Sequence, residues 1–457
     1  MVANQSRTPS AQETFMQMAR AAGLRNKLLV TVGLIVLVRF GKVAVPVPGI
    51  DRESFANALE GNAVTGFFNF ISGGGFSALG VLALGIIPFI NASIIMQLLT
   101  AAIPYLENLQ KNEGEAGRRK ISQITRYVAL GSAAINSLGL AFFARPHAYQ
   151  GGPIFIAETV LALTAGSMFV IWLSELISER GLGNGASLLI FANIAAVLPQ
   201  TLGNTIEFAQ TGGRQAVAQV VMLLLVFLAT IVGIVFVQEG NRRIPIVSAR
   251  RQVGKRLYRE RTSYLPLRLN QGGVLPIIFA TILLTLPAQL ARLTSGQLGA
   301  GAQAAPEAQG SGWAAQLNQV LVTASTYLSP TGPAPWLYFT VYLLLILFFS
   351  YFYASLIVNP DDMSKNLKKM GASIPGIRPG QATSEYLQRV INRLTFLGAL
   401  FLGAVAIIPT VIENLTGVTT FRGFGATSLL ILVGVAIETA KRIQSNVVSQ
   451  RYEGMVK

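Results

Sequence analysis

The feature that most constrains this chain is a stretch of 46 consecutive residues without a charged side chain, which lies between Glu60 and Glu107. Wound as one α-helix at about 1.5 Å per residue, the stretch would be about 70 Å long. That length is more than twice the hydrocarbon thickness of a bilayer, which is about 30 Å. One straight membrane crossing therefore cannot use the whole stretch.

Two internal features divide the stretch. The three glycines at 73–75 are its poorest helix formers, and Pro88 removes a backbone donor from its most apolar part. We predict a short amphipathic piece at 64–71, a flexible glycine joint, and a kinked membrane span at 76–103. Irregular backbone at membrane depth is tolerated only where it is buried in protein or lines a cavity. The pattern therefore predicts a cavity with a small segment folded into it.

Apolar blocks of membrane-spanning length recur along the chain. Only 12% of the residues are charged, against about 25% in soluble domains, and 52% are hydrophobic. This pattern predicts an all-α polytopic membrane protein with ten transmembrane helices. The predicted spans lie at 28–44, 76–103, 127–144, 154–177, 186–206, 216–238, 273–292, 336–358, 394–412 and 427–446.

The distribution of positive charge assigns the two sides of the membrane. The net charge is +16, and 29 of the 36 Lys and Arg residues fall in segments on one side, with seven on the other. Because positive residues are retained in the cytoplasm, both termini are assigned to that side. Counting 61–106 as two crossings, with the N-terminus outside, would place 28 inside. The lack of a charged turn within the stretch favours one crossing.

Ten spans divide into two halves of five. An odd number of spans in each half places the halves in opposite orientations, as in inverted-repeat transporters, around a central pore. A cytoplasmic segment at 1–27 precedes the first half at 28–206. An outside connection at 207–215 leads to the second half at 216–446, and a cytoplasmic tail follows at 447–457.

Two cytoplasmic segments are predicted to be folded protrusions. The first, at 239–271, carries nine cations among aliphatic and aromatic residues, and near-alternation at 244–248 predicts a β-hairpin. The second, at 359–393, holds Arg378 between two Pro-Gly pairs, so its side chain must point outward. Nine cations on a folded protrusion favour docking to an acidic or phosphate-rich surface. A solvated loop that only enforces topology is the alternative.

Residue types needed for catalysis are scarce. The chain has no cysteine, and its single histidine, His147, is interpreted as a bystander in an outside loop. Carboxylates fall towards the ends of the spans, whereas ion-coupled transporters normally need charged groups within the membrane. We therefore predict no enzyme, metal site or cofactor, and a wet pore with an apolar neck. The outside segment at 294–334, rich in Gly, Ala, Gln, Ser and Pro, is predicted to be a flexible loop.

Five motifs resemble the SecY family of protein-conducting channels. They are Ala83-Leu-Gly-Ile-Ile-Pro-Phe-Ile90 with Gln97-Leu-Leu-Thr100, Glu113-Gly-Glu-Ala-Gly-Arg-Arg-Lys-Ile-Ser122, Glu179-Arg-Gly-Leu-Gly-Asn-Gly185, Pro375-Gly-Ile-Arg-Pro-Gly380 and Gly425-Ala-Thr-Ser-Leu-Leu-Ile431. They occur in the family's order and cover nearly the whole chain. The resemblance implies a channel that translocates unfolded secretory polypeptides and releases membrane helices laterally into lipid. An inverted-repeat secondary transporter of a small solute is the alternative.

The resemblance also implies an hourglass-shaped pore with a re-entrant plug helix at about 64–79 below a ring of aliphatic residues. The implied ring consists of Ile86, Ile90, Ile190, Ile278 and Ile431. The implied plug and hinge residues include Gly73, Gly74, Gly75, Phe76 and Leu79. A further ring position is occupied by Ala186, where the family commonly has a bulky residue, so we place Ala186 at the periphery of the seal.

Spans 2 and 3 facing spans 7 and 8 are implied to form a lateral gate, with polar contacts from Asn91, Gln97 and Asn270. The protrusions are implied to dock the ribosome or the SecA motor ATPase. The docking residues are expected to be Arg242, Arg243, Arg250, Arg251, Lys255, Arg256 and Arg378. Other implied partners are the SecE and SecG subunits, signal peptides, nascent chains and membrane lipid. The implied location is the cell (inner) membrane or a thylakoid membrane.

Overall fold

The computed structural model describes residues 22–59, 69, 72–111, 113–149, 151–248, 251–253, 256–258, 261–294, 313–329, 332–416 and 426–456. A helix lies at each of the ten predicted span positions. In chain order the elements are α1 (Ala22–Ala44), α2 (Arg52–Leu59), α3 (Ile87–Ala102), α4 (Pro104–Lys111), α5 (Gly114–Ala144), α6 (Pro153–Arg180), α7 (Gly185–Thr211), α8 (Gly213–Glu239), β1 (Asn241–Ser248), β2 (Arg251–Val253), β3 (Arg256–Tyr258), β4 (Arg261–Arg268), α9 (Leu275–Thr294), α10 (Trp313–Tyr327), α11 (Pro335–Ile357), α12 (Pro360–Lys369), β5 (Ala372–Ser373), α13 (Gln381–Thr416) and α14 (Ala426–Val456).

The helices have the length and surface of membrane spans. By length and composition, six of the described helices can cross a membrane, namely α5 to α8, α11 and α13, and the bent pair of α3 with α4 makes a seventh. Large apolar side chains point outward, such as Leu225 and Phe236 on α8, which are 61% and 77% exposed. A contiguous apolar exterior of this kind fits lipid rather than water.

The two halves meet around α7. In the first half, α3 packs on α5, α5 on α6, and α6 on both α1 and α7. In the second half, α9 packs on α10 and α11, α11 on α13, and α13 on α8 and α14. The halves are joined because α7 contacts both α8 and α14. A single apolar core includes Ile171 and Leu189 of the first half with Phe279 and Leu430 of the second.

Several helices extend beyond the apolar blocks that predicted them. The predicted connection at 207–215 is almost entirely helical, because α7 ends at Thr211 and α8 begins at Gly213. Gly213 adopts a φ of +70°, which lets the chain turn sharply between the two helices. Polar residues continue a helix once its backbone hydrogen bonds are formed, so hydropathy alone makes both helices too short.

The second span differs from its prediction. Residues 73–86 form turns, and α3 begins only at Ile87. Pro88 lies in the first turn of α3, where a missing backbone donor costs nothing, so Pro88 does not kink this helix. The bend instead follows α3, where the chain turns by 105° into α4.

The predicted flexible loop at 294–334 contains a helix. Helix α10 occupies Trp313–Tyr327 and packs against α9, so the prediction of a loop throughout this segment is wrong. Ala, Leu and Val supply seven of the fifteen residues of α10. Ala and Leu are strong helix formers, and the polar residues of the segment concealed them from a composition-based reading.

The two protrusions fold as one unit. Strands β1 and β4 pair antiparallel from Asn241 with Arg268 to Ser248 with Arg261, which confirms the predicted hairpin. Strand β5 adds to the other side of β1, so the second protrusion extends the sheet of the first. The shared apolar core comprises Ile244, Ile246, Leu267, Ala354, Leu367, Ile374, Leu387 and Ile391.

We expect Gly166→Ala to lower the free energy of unfolding by about 1–3 kcal/mol, because a Cβ at Gly166 would lie 2.1 Å from the carbonyl oxygen of Val81. A backbone neighbour cannot move aside as a flexible side chain can. The measurement is the melting temperature of the purified protein in detergent. Gly139→Ala is the matched control, since no atom lies within 4 Å of a Cβ there. Equal melting temperatures for the two variants would contradict this packing.

Candidate functional site

A cavity of about 650 Å³ lies between the two halves. Helices α3, α7, α9 and α14 contribute most of its wall. Four of the five predicted ring residues line it: Ile90, Ile190, Ile278 and Ile431. These side chains offer van der Waals contact without directional hydrogen bonds. We call this space the pore cavity.

The predicted isoleucine ring is brought together by the fold. Ile86 is 1% exposed and belongs to the same buried apolar cluster as Ile190, Ile278 and Ile431, and Ile90 packs against that cluster. Ala186, which was predicted to be peripheral, also lines the pore cavity and packs on the cluster.

One end of the pore cavity is polar. Arg268 contributes to its lining there, and so do two residues of α14 that form ion pairs. Arg442 lies 3.0 Å from Glu438, and Lys441 lies 2.8 Å from Glu239. Charged groups keep this end hydrated, whereas a narrow aliphatic constriction tends to exclude water.

In the described part of the predicted plug, Asn69 and Ser72 are helical and residues 73–79 form turns. We call residues 72–79 the plug segment; positions 64–68, 70 and 71 of the prediction lie outside the described residues. Gly73 and Gly74 adopt φ values of +67° and +81°, so the predicted glycine joint supplies backbone that other residues rarely adopt.

Hydrogen bonds within the turns satisfy the backbone of the plug segment. The Gly74 N–H donates to the carbonyl oxygen of Asn69 at 2.8 Å, and the Ser77 N–H donates to Asn69 Oδ1 at 3.0 Å. The Phe76 N–H donates to Ser72 Oγ at 2.9 Å. These turns therefore carry few unpaired backbone groups, as burial requires.

Apolar contacts hold the end of the plug segment. Leu79 is fully buried with a φ of +39°, a conformation that costs a side-chain-bearing residue about 1–2 kcal/mol. Its carbonyl oxygen accepts from the Val47 N–H at 3.1 Å, and Phe76 packs against the same apolar cluster. Burial and this bridge compensate the backbone strain.

Two cations of α1 reach the plug segment. The Lys42 amino group donates to the carbonyl oxygen of Ser72 at 2.6 Å and to Asn193 Oδ1 of α7 at 2.8 Å. The Arg39 guanidinium donates to the carbonyl oxygen of Gly73. Sequence analysis counted both cations only among the seven on the outside and missed these contacts. The sequence signal for these contacts was the spacing of three residues between Arg39 and Lys42, which places both side chains on one helix face.

One predicted gate residue bridges the two halves. The Tyr353 hydroxyl of α11 donates to Gln97 Oε1 of α3. Asn270 instead closes a local turn, because its Nδ2 donates to the carbonyl oxygen of Gly273 at 2.8 Å. Asn91 is half-buried on α3. Tyr353 was not predicted, since nothing in one sequence links two positions 256 residues apart.

The basic residues of the protrusions are exposed where the structure describes them. Arg242 and Arg243 are exposed on β1. Arg250 and Lys255 lie outside the described residues, and Arg251 and Arg256 are described only as strand backbone.

The loop that carries Arg378 is rigid and turns that side chain outward, as predicted. Arg378 is exposed, and its carbonyl oxygen accepts from Thr383 Oγ1 at 2.8 Å. The Ser364 hydroxyl donates to the carbonyl oxygen of Gly380 at 2.6 Å. Gly376 and Gly380 adopt positive φ values of +79° and +112°.

His147 contacts two residues of α2. Its Nδ1 lies 2.8 Å from Ser54 Oγ, and its ring packs edge-on against Phe55. Among the described residues, no group of three or more His, Cys, Asp or Glu side chains could hold a metal ion.

Comparison with known proteins identifies close relatives. A family model described as SecY matches residues 80–440. The protein translocase subunit SecY of Synechocystis sp. is 64% identical over 458 residues, which cover all of both chains. The chloroplastic preprotein translocase subunit SECY of Spinacia oleracea is 41% identical over 433 residues, covering 94% of this chain and 74% of the relative.

Solved structures share the fold. One described as a protein conducting channel has a TM-score of 0.63 at 19% identity and covers 93% of each chain. Sec61 in the canine ribosome-channel complex has a TM-score of 0.59 at 18% identity, also over 93% of each chain. The fold, the family match over most of the length and these full-length relatives lead to one conclusion: the chain belongs to the SecY family.

Proposed function

We propose how this protein-conducting translocation channel opens and closes in its membrane. The observation that carries the proposal is the pore cavity, which lies between the two halves and ends at a cluster of isoleucines from both. The ring of Ile86, Ile90, Ile190, Ile278 and Ile431 is the seal of the resting channel. A dry aliphatic ring blocks water and ions, yet it accepts any side chain of a passing polypeptide.

The plug segment supports the seal from beside it. Gly73 packs against Asn193, which follows Ile190 by three residues on α7, so the plug segment lies about one helical turn from the ring. During translocation the plug segment leaves, the ring widens around an extended chain, and the cavity becomes continuous. Gly73, Gly74 and Gly75 are the hinge of this movement.

The lateral gate lies where α3 faces α9 and α11. The Gln97–Tyr353 hydrogen bond closes it, together with Asn91 on α3 and Asn270 in the turn before α9. A signal peptide or a nascent membrane helix enters the pore cavity and wedges the two halves apart. Apolar segments then leave sideways into lipid, because transfer of apolar surface out of water is favourable.

The protrusions are the docking surface for the energy source. Their exposed cations suit the phosphate-rich surface of a ribosome or acidic patches of the SecA motor. The hydrogen-bonded loop at Arg378 is the main contact, and the basic residues at 242–256 add positive charge to the same protrusion. The ribosome-bound Sec61 relative supports a ribosome partner. The membrane subunits SecE and SecG complete the assembly.

The positive-inside distribution supports cytoplasmic termini. The cyanobacterial and chloroplastic relatives support the cell membrane and the thylakoid membrane as locations. A secondary transporter of a small solute is not favoured, because the full-length relative at 64% identity is a protein translocase subunit.

We expect the double variant Ile90→Ser with Ile278→Ser to raise the resting ion conductance about tenfold or more, because hydroxyl groups let water wet the constriction. The measurement is single-channel conductance of the idle, reconstituted channel in a planar bilayer. Ile95→Ser is the matched control, since Ile95 lies on α3 and is 44% exposed on its outer side. Unchanged conductance of the double variant would contradict the ring assignment.

We expect Tyr353→Phe to ease opening of the lateral gate, because it removes the bond to Gln97 and keeps the ring contact with Phe279 at 5.4 Å. Export of a substrate with a weakened signal peptide should rise several-fold. Tyr342→Phe is the control, since its hydroxyl pairs at 3.1 Å with Thr281 inside one half. Equal export by the two variants would rule out the gate contact.

We expect Arg378→Glu to reduce SecA-driven translocation into vesicles by about tenfold or more, because like charges at a docking surface cost several kcal/mol. Lys369→Glu, on the exposed end of α12 in the same protrusion, should have a smaller effect. SecA-driven translocation at the normal rate in the Arg378 variant would remove this residue from the docking surface.

A further inference from the structure

Two cations at one end of α1 have contacts that membrane topology does not require. Charges that only set topology can remain in water, as Arg52 does on the exposed face of α2. Lys42 instead is 1% exposed, and Arg39 is half-buried. Burial of a polar head group is costly unless hydrogen bonds compensate it. The partners of these two side chains therefore indicate what their burial achieves.

The partners belong to the plug segment and to α7. Lys42 Nζ lies 2.6 Å from the carbonyl oxygen of Ser72 and 2.8 Å from Asn193 Oδ1. The Arg39 guanidinium reaches the carbonyl oxygen of Gly73. Helix α1 thus binds two successive carbonyl groups of the plug segment. Helix α7, through Asn193, binds the Lys42 amino group that contacts one of them.

The chain around Lys42 is shaped to its side chain. A Cβ at Gly75 would lie 3.3 Å from Lys42 Cδ, and a Cβ at Gly85 would lie 3.6 Å from Lys42 Nζ. A Cβ at Gly80 would lie only 2.2 Å from the Lys42 carbonyl oxygen. Three glycines therefore let the plug segment and the chain that follows it wrap closely around one lysine.

We propose that Arg39, Lys42 and Asn193 form a latch that holds the plug segment in the closed channel and releases it during opening. The inference rests on the plug function proposed above. The acceptors on the plug side are backbone carbonyls, so the latch recognises the path of the chain at 72–73 rather than its side chains. It acts by positioning the plug segment and makes no contact with the isoleucine ring itself.

Release follows from the location of the latch. Asn193 lies one helical turn from Ile190, so an entering polypeptide that widens the ring also moves the α7 side of the latch. Water admitted to the pore then offers the Lys42 and Arg39 donors alternative acceptors. The latch is strong while the site is dry and weakens when it is wetted.

The test is the resting conductance of full-length Lys42→Met, reconstituted with its partner subunits. Methionine keeps the length and apolar stem but cannot donate to Ser72 or Asn193. Spontaneous opening should become about tenfold more frequent, which corresponds to about 1.4 kcal/mol. Arg52→Met, which removes a cation from α2, is the matched control and should stay closed.

A second variant guards against misfolding of the first. Asn193→Leu removes the α7 partner and should also raise the opening frequency. Because both substitutions break the same contact, the double variant should open less often than independent effects would predict. If Asn193→Leu and Lys42→Met, each with a normal melting temperature, both stay closed, the latch is disproved. If the effects of the two substitutions on opening frequency simply add in the double variant, that result would also contradict the latch.

A disulfide experiment distinguishes failure of the latch from failure of the plug function on which the latch rests. The chain has no cysteine, so a Gly73→Cys/Asn193→Cys pair has no background. A Cβ at Gly73 would lie 3.0 Å from Asn193 Cβ, so a small outward shift of the plug segment brings the pair into the 3.5–4.5 Å span of a disulfide. Oxidation should stop export and a reductant should restore it. Normal export by the oxidised pair would overturn the plug function. If oxidation of the cysteine pair blocks export but the Lys42→Met channel stays tightly closed, the plug function stands and only the latch is overturned.

Discussion

The arrangement of this protein depends on hiding one piece of irregular backbone inside a membrane. In lipid every backbone N–H and C=O needs a partner, so residues 72–86, which form turns, must be enclosed by protein. Helix α1 presses on this piece at Gly80, and α6 presses on it at Gly166, where a Cβ would lie 2.1 Å from the carbonyl oxygen of Val81. The Val81 N–H in turn donates to the carbonyl oxygen of Val45 at 2.9 Å. The first half is packed around this enclosure.

The enclosure places two different closures side by side on α7. Ile190 belongs to the apolar cluster that we propose as the seal, and Asn193, one turn further, contributes to a polar contact with Lys42 and the plug segment. Neither closure depends on the side chains of the translocated polypeptide, because the seal uses van der Waals contact and the polar contact uses backbone carbonyls. In the proposed mechanism selection is left to the lateral gate between the halves, where a hydrogen bond joins Gln97 to Tyr353.

Local physics explains which features could be predicted. Hydropathy placed a helix at all ten positions, and alternation placed the β1 hairpin, because both patterns depend on neighbouring residues. The start of α3 at Ile87 could not be predicted, since residues 76–86 are apolar enough for a helix and only enclosure by other helices makes turns possible. The docking of α10 on α9 was missed for the same reason, as was the Gln97–Tyr353 contact across 256 residues.

Lys42 shows how a residue that a charge count assigns to the end of a span can have a further function. The charge count placed Lys42 among the seven cations on the outside, where a residue at the end of a span can border water in one state and be buried in another. Burial of its amino group is compensated only while Ser72 and Asn193 are in place. Hydration replaces those partners when the pore is wet, so the contact favours the closed state by only about 1.4 kcal/mol, a factor of about ten. A modest difference of this kind lets an entering chain shift the equilibrium towards the open state, since a ligand changes populations only by its differential affinity.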